Sequence, residues 1–338
     1  MLKLGIIGYG YWGPNMVRNF METEGATVKA VSDMRPERLK LVQSRYPAIQ
    51  TMTEPDAIFA DPEIDAVVVV TPVSTHFDLA MRALQAGKHV LLEKPFTETS
   101  AQGQQLLDEA KKRGLVIMVD HTFIYTGAVR KIKEMVESGE LGDIYYYDSV
   151  RVNLGLFQHD VNVIWDLAVH DLSILEYIFP DKPVSVSATG MAHVPGSPED
   201  VAYLTLFYDA RLISHIHVNW LSPVKVRRTL VGGSQKMVVF DDLEPSEKIK
   251  IYDKGINLSR TPEGIDQVYK LLIDYRSGDM WAPRIEGGEA LRVEARHFVD
   301  CIVNGTQPIA SGESGLRVVR ILEAASESMK NQGQPVRL

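Results

Sequence analysis

The chain has 338 residues, 45% of them hydrophobic and 24% charged, with a formal net charge of −8. That is a globular balance with enough apolar material for two domains, and its sign argues against nucleic acid or an anionic membrane as the main partner. One cysteine, Cys301, excludes an intrachain disulfide and a cysteine-built zinc site.

Residues 2–7 form a short apolar run of the kind buried on both faces of a parallel sheet. Gly8-Tyr9-Gly10-Tyr11-Trp12-Gly13 follows, then a helical stretch from Pro14 to Met21. No basic leader with an apolar stretch and cleavage site precedes the first strand, and no run is long enough to cross a bilayer, so a cytoplasmic protein is expected. The sequons at Asn257 and Asn304 then read as chance matches. Further strands are predicted over 28–32, 64–70, 89–92 and 115–119, and further helices over 36–46, 77–86 and 101–113. Five alternations predict a doubly wound parallel sheet, a Rossmann domain over residues 1–120. Ligands of such sheets bind beyond the carboxyl ends of the strands. The strand-closing residues Gly8, Asp33, Thr71, Lys94 and Asp120 therefore carry the most weight.

After Asp120 the pattern changes. Helices are predicted over 128–137 and 165–179, and a strand over 144–153. Alternating strands follow over 184–192, 201–208, 211–221, 225–231, 236–240 and 248–252, most of them joined by short turns. Helices near 290–303 and 313–330 finish the chain. Residues 121–338 thus read as an α/β domain with a large, mostly antiparallel open sheet, suited to binding substrate and to self-association.

The glycine loop sits where dinucleotide binding requires it, between a strand and a helix. Gly8 permits the tight turn, Gly10 lets backbone approach a pyrophosphate, and Gly13 lets the helix pack against the strand. Asp33 lies 20 residues beyond Gly13 and closes the second strand, where an acid accepts from the ribose hydroxyls. The same carboxylate repels a 2′-phosphate, which favours NAD over NADP, and neighbouring Arg35 moderates that preference.

Thr71-Pro72-Val73-Ser74-Thr75-His76, Ala86-Gly87-Lys88-His89 and Glu93-Lys94-Pro95 give the chain a resemblance to the glucose–fructose oxidoreductase/inositol dehydrogenase (Gfo/Idh/MocA) family over essentially its whole length. The resemblance implies a Rossmann domain, an open-sheet second domain, dimers or tetramers, and hydride exchange between NAD and a hydroxyl carbon of a sugar, inositol or nucleotide-sugar. It places Thr71, Pro72, His76, Glu93, Lys94 and Pro95 beside the cofactor, with Tyr11, Trp12 and Arg35 at the glycine loop. It implies a frequently cis Lys94–Pro95 bond and makes Lys94 a contact of both nicotinamide ribose and substrate. Asp166-Leu167-Ala168-Val169-His170 matches the family's second element, in which the histidine is the acid/base and the aspartate binds substrate. Independently of the family, an i, i+4 pair shares one helix face, and imidazole suits removal of a hydroxyl proton near neutrality. From the helix pattern alone, Asp166, His170, Ser173 and Tyr177 read equally as a solvated polar stripe.

Other residues carry weaker signals. His121 reads either as lining the substrate entrance or as a satisfied loop histidine. His215 and His217 share a strand face, but no third ligand accompanies them, so no metal is expected. Lys225, Arg227 and Arg228 form the most basic stretch of the second domain and suit a sugar diphosphate or a sheet surface. The segment Ser277–Pro283 resembles members from nucleotide-sugar pathways and bears on substrate class only; the expected substrate is a sugar or nucleotide-sugar, for example a UDP-N-acetylhexosamine oxidised at C3. The alternatives within this fold are a non-catalytic NAD(P)-binding regulator and a glycosidase that uses NAD transiently.

Overall fold

A computed structural model describes residues 1–155, 161–258 and 273–338. Its elements are β1 (Leu2–Ile7), α1 (Gly13–Glu22), β2 (Ala26–Ser32), α2 (Pro36–Arg45), β3 (Gln50–Met52), α3 (Asp56–Ala60), β4 (Ala66–Val69), α4 (His76–Gln85), β5 (His89–Glu93), α5 (Ser100–Arg113) and β6 (Ile117–Asp120). The chain continues through α6 (Gly127–Glu137), β7 (Ile144–Leu154), α7 (Val169–Ile178), β8 (Ser185–Met191), β9 (Val201–Phe207), β10 (Ile213–Asn219), β11 (Leu221–Gly233), β12 (Met237–Asp241) and β13 (Ile249–Tyr252). It ends with β14 (Gly255–Leu258), β15 (Ile273–Arg276), β16 (Met280–Trp281), α8 (Ala290–Asn304), α9 (Gly312–Lys330) and β17 (Val336–Arg337). The short β3 and α3 add one strand and one helix to the first-domain pattern.

The chain divides into two compact units. The first comprises Met1–Thr126, Leu172–Tyr177 and Gly287–Glu323. Its six parallel strands run in the order β3-β2-β1-β4-β5-β6, the doubly wound arrangement. Strands β1, β4 and β5 are nearly all apolar because helices cover both sheet faces. Helix α5 shows how local sequence sets the ends. Thr99 and Gln102 form a capping box at its start, and Gly114 ends it at φ 67°. The core of this unit includes residues far away in the chain. Leu291, Ala295 and Phe298 of α8 pack with Leu4, Phe20 and Val28, and the Phe298 and Phe20 rings meet edge-on at 6.1 Å.

The second unit comprises Gly127–Asp171, Ile178–Glu286 and Ala324–Leu338. Its nine-stranded sheet has the order β16-β13-β12-β11-β7-β10-β9-β8-β17, with β10 and β7 the parallel pair in an otherwise antiparallel sheet. Residue alternation separates two faces. Tyr147, Ser149, Leu204, Leu206, Ser214, Ile216 and Val231 face the buried side. Directly opposed Tyr146, Ile213 and Phe207 lie on the other side and are exposed. On the buried side Arg151 Nε donates to Asp171 at 2.7 Å, and Ser149 Oγ donates to the same carboxylate at 2.6 Å. Burial opposes the charge on Arg151, but Asp171 outweighs it and holds the guanidinium above its usual range. The unit also holds the two-stranded pair β14–β15.

Truncating Phe298 to alanine opens a cavity in the first unit's core. The expected loss is ~3–5 kcal/mol, read as a lower urea midpoint for the transition of that unit.

Candidate active site

At the carboxyl edge of the first unit's sheet, each expected feature of a dinucleotide cradle has a geometric reason. Gly8 has φ +100°, and a Cβ there would lie 2.4 Å from the Val70 carbonyl oxygen. A Cβ on Gly13 would meet the Gly8 carbonyl at the same distance. At Gly10 the nearest atom to a Cβ is Arg35 Nη2 at 3.6 Å, so that position is open on the protein side. Helix α1 begins at Gly13 with no side-chain cap and no acid in its first turn, leaving its N–H groups directed at the loop. An open glycine beside an uncapped helix N-terminus fits a pyrophosphate.

Asp33 closes β2 and is 7% exposed. Its Oδ2 accepts from Tyr9 N at 2.7 Å, and Arg35 donates to both of its oxygens at 3.0 and 3.1 Å. Burial works against ionisation, but the Arg35 side chain and the backbone N–H groups of Arg35 and Tyr9 outweigh it. The carboxyl therefore stays below its ordinary range. A charged acceptor thus stands at the end of β2, with a cation already against it. Tyr11 is exposed and stacks on Trp12, with ring centroids 6.1 Å apart. Trp12 Nε1 donates to Asp120 Oδ2 at 3.3 Å, so the loop is tied to the end of β6.

Thr71 is half-buried and Pro72 exposed at the end of β4, and Lys94–Pro95 is a cis peptide. His76 is wholly buried, not presented to a ligand. Its ring nitrogens lie 2.9 Å from the Pro95 and Thr71 carbonyl oxygens, and it ties these two strand-end loops together. Burial pushes its pKa down despite those carbonyls. His121 is also buried, at 2% exposure, so it does not line a surface entrance. Burial and then the Lys94 charge push its pKa down to about 3, and it is neutral. Glu93 and Lys94 are partly exposed at the end of β5, and Glu93 Oε2 accepts from Lys94 N at 2.7 Å.

In the second unit, Asp166 lies in a π-helical turn, Ile164–Ala168, and His170 lies in the first turn of α7. The four-residue step between them therefore crosses from π to α geometry instead of following one α-helical face, a widening common at functional sites. Both residues are partly buried, and Ser173 is buried, so the segment is not a solvated stripe. The indole of buried Trp220 donates to Asp166 Oδ2 at 3.1 Å. Lys225 and Arg228 are exposed, while Arg227 is engaged by Asp242 at 3.4 Å. His217 stacks on Tyr203 at 4.4 Å between centroids, which gives the paired histidines a packing role. The buried Cys301 thiol has its pKa pushed up to about 11 by burial and by Asp300.

Residues 2–121 match the oxidoreductase family with an NAD-binding Rossmann fold (GFO_IDH_MocA), and residues 129–239 match the GFO/IDH/MocA C-terminal domain. The Escherichia coli K12 protein named uncharacterized oxidoreductase YdgJ is 31% identical over 261 residues, 73% of each chain. The chain belongs to the Gfo/Idh/MocA family. Other relatives in the family include the scyllo-inositol 2-dehydrogenase (NADP(+)) IolW of Bacillus subtilis, 26% identical over 98% of this chain and 94% of that one. The UDP-N-acetylglucosamine 3-dehydrogenase of Acidithiobacillus ferrooxidans is 27% identical over 94% of both chains. The solved structure of that organism's enzyme GnnA superposes with a TM-score of 0.80 at 25% identity, covering 98% of this chain and 99% of that one. The protein is accordingly an oxidoreductase of the Gfo/Idh/MocA family, and its first domain is an NAD-binding Rossmann domain.

Two buried groups, one in each unit, have no sequence signature. Trp220 lies 54 residues from the aspartate it holds, and Glu294 on α8 is fully buried in the unit that carries the glycine loop.

Replacing Gly10 by alanine tests the cradle. The added methyl meets nothing within the protein, so stability changes by no more than ~0.5 kcal/mol. The NAD dissociation constant, read by calorimetry, rises by about tenfold or more as the methyl obstructs the pyrophosphate.

Proposed function

We propose that the protein is an NAD-dependent dehydrogenase acting on a secondary hydroxyl of a sugar, with a UDP-N-acetylhexosamine oxidised at C3 as its substrate class. The observation that carries the reading is the first unit's strand edge, where an open glycine cradle, the Asp33 carboxylate and the Lys94 ammonium stand at the ends of β1, β2 and β5 of one parallel sheet. A regulator of this fold needs the cradle but has no use for the lysine.

Bound NAD supplies the hydride acceptor. Lys94 donates to the substrate oxygen and stabilises the negative charge that develops as the O–H bond breaks. His170 takes the hydroxyl proton in oxidation and returns it in reduction. Asp166, oriented by the Trp220 indole, accepts from a second hydroxyl and fixes the ring. Lys225, with Arg228 exposed on the same strand, is the cation we assign to the diphosphate. The dehydrogenase of similar sequence named for UDP-N-acetylglucosamine supports the substrate class, and those named for inositols supply the comparison arm. We further propose that the exposed sheet face bearing Tyr146, Phe207 and Ile213 is covered by a second copy of the chain, giving a dimer or tetramer.

With a panel of UDP-sugars and inositols, reduced nicotinamide is expected to accumulate for one class only. Lys94→Ala and His170→Asn should each lower turnover by about 10²–10⁴; near wild-type turnover in both would remove the mechanism. Asp33→Ala should shift preference toward NADP by about tenfold or more, because an apposed like charge costs several kcal/mol. Phe207→Asp should halve or quarter the mass read by light scattering.

A further inference from the structure

Glu93 and Asp120 are directly paired residues at the ends of the adjacent parallel strands β5 and β6. Adjacent strands lie about 4.8 Å apart, so the two carboxyl groups are neighbours. Helix α8 adds a third, Glu294, which is 0% exposed. Both Glu294 oxygens lack a hydrogen-bond partner among the described residues, as do both ring nitrogens of buried His121. Buried polar atoms left in this way mark a place where a proton, a water or a ligand charge completes the structure.

Three carboxyl groups here face one ammonium, that of Lys94. Asp120 accepts on both oxygens, from Trp12 Nε1 and from Thr122 Oγ1. Burial, followed by the Asp120 charge, pushes both Glu93 and Glu294 well above the usual carboxylate range. The remaining titratable groups facing the cluster are His121, Tyr125, Tyr177, His297 and Cys301. His121 loses its proton far below neutrality, while the Tyr125 hydroxyl and Cys301 thiol are pushed up by burial and keep theirs.

Strands β4 to β6 form the half of a doubly wound sheet that takes the second mononucleotide. The nicotinamide ring is cationic in NAD⁺ and neutral in NADH. We propose that Glu93, Asp120 and Glu294 form a proton-holding cluster that reads this charge: binding of NAD⁺ releases one carboxyl proton to solvent, and binding of NADH releases none. The step balances as COOH to COO⁻ plus H⁺, and the new carboxylate answers the ring's charge. Glu93 and Glu294 are positioning residues for the oxidised cofactor, and Trp12 links the cluster to the glycine loop. The inference rests on the NAD dependence proposed above.

Calorimetric titration of the whole protein with NAD⁺ and separately with NADH, in phosphate and in Tris, reads the proton directly. NAD⁺ should release close to one proton below the cluster's titration, and its affinity should rise by up to about tenfold per pH unit as the pH approaches that titration from below. The sign follows from the ligand: a cation favours the ionised cluster, so affinity grows as pH rises through the cluster's titration. NADH affinity should stay flat. Glu294→Gln should abolish or reduce the difference between the two forms. Equal proton release and equal pH slopes for NAD⁺ and NADH in the unmodified protein would overturn the inference while leaving NAD dependence standing. Failure of both forms to bind would overturn both readings.

Discussion

Glu93 and Asp120 stand side by side because β5 and β6 are parallel and in register. Two carboxylates at that spacing, Asp120 buried and Glu93 partly so, repel strongly, and both stay in place only if charge is removed or answered. Much of the first unit's functional edge follows from that constraint. Lys94, the next residue, supplies the cation. The Trp12 indole and the Thr122 hydroxyl satisfy Asp120. Glu294 arrives on a helix from the far end of the chain and brings a carboxyl group that only a protonated form makes tolerable. The glycine loop, Lys94 and the closing helix are thus coupled through one small electrostatic problem.

The cofactor half of the site was legible in the sequence because its requirements are local. Gly8, Gly13 and Asp33 each satisfy a backbone or strand-end condition that spacing reports. The alternation that predicts the parallel sheet is equally local, although three-residue β3 and five-residue α3 are too short to show a period. His76 was legible as a motif residue but not as a strut, because its two carbonyl partners come from separate strand ends. The Trp12–Asp120 bond spans 108 residues and has no local trace. The π-helical turn at Asp166 was invisible for another reason: Ile164–Ala168 contains nothing that favours five-residue spacing, and packing imposes it.

The second unit shows the same division of labour on a different scaffold. Its Asp171, in the first turn of α7, is held to the sheet through Arg151 and Ser149. Removing either partner of that ion pair leaves an unanswered buried charge, the costliest kind of defect in a core. Asp166 is meanwhile held by Trp220 at the end of β10. Two acids five residues apart are thus fixed by two different groups, one ionic and one neutral. The segment between them, which carries His170, is anchored at both sides. The role proposed for His170 needs that restraint, since a proton carrier's reach is a single hydrogen bond.

Helices α8 and α9 bring Gly287–Glu323 into the first unit, so this unit is continuous in space and discontinuous along the chain. Synthesis proceeds from the N-terminus, and nearly the whole second unit is made before Leu291, Ala295 and Phe298 exist to complete the first unit's core. On the ribosome the glycine loop and its sheet therefore emerge early but wait, with an apolar face uncovered, for the last sixth of the chain. The exposed intermediate is long-lived on the scale of translation. Stop codons or frameshifts late in the gene would strike the first unit as hard as the second.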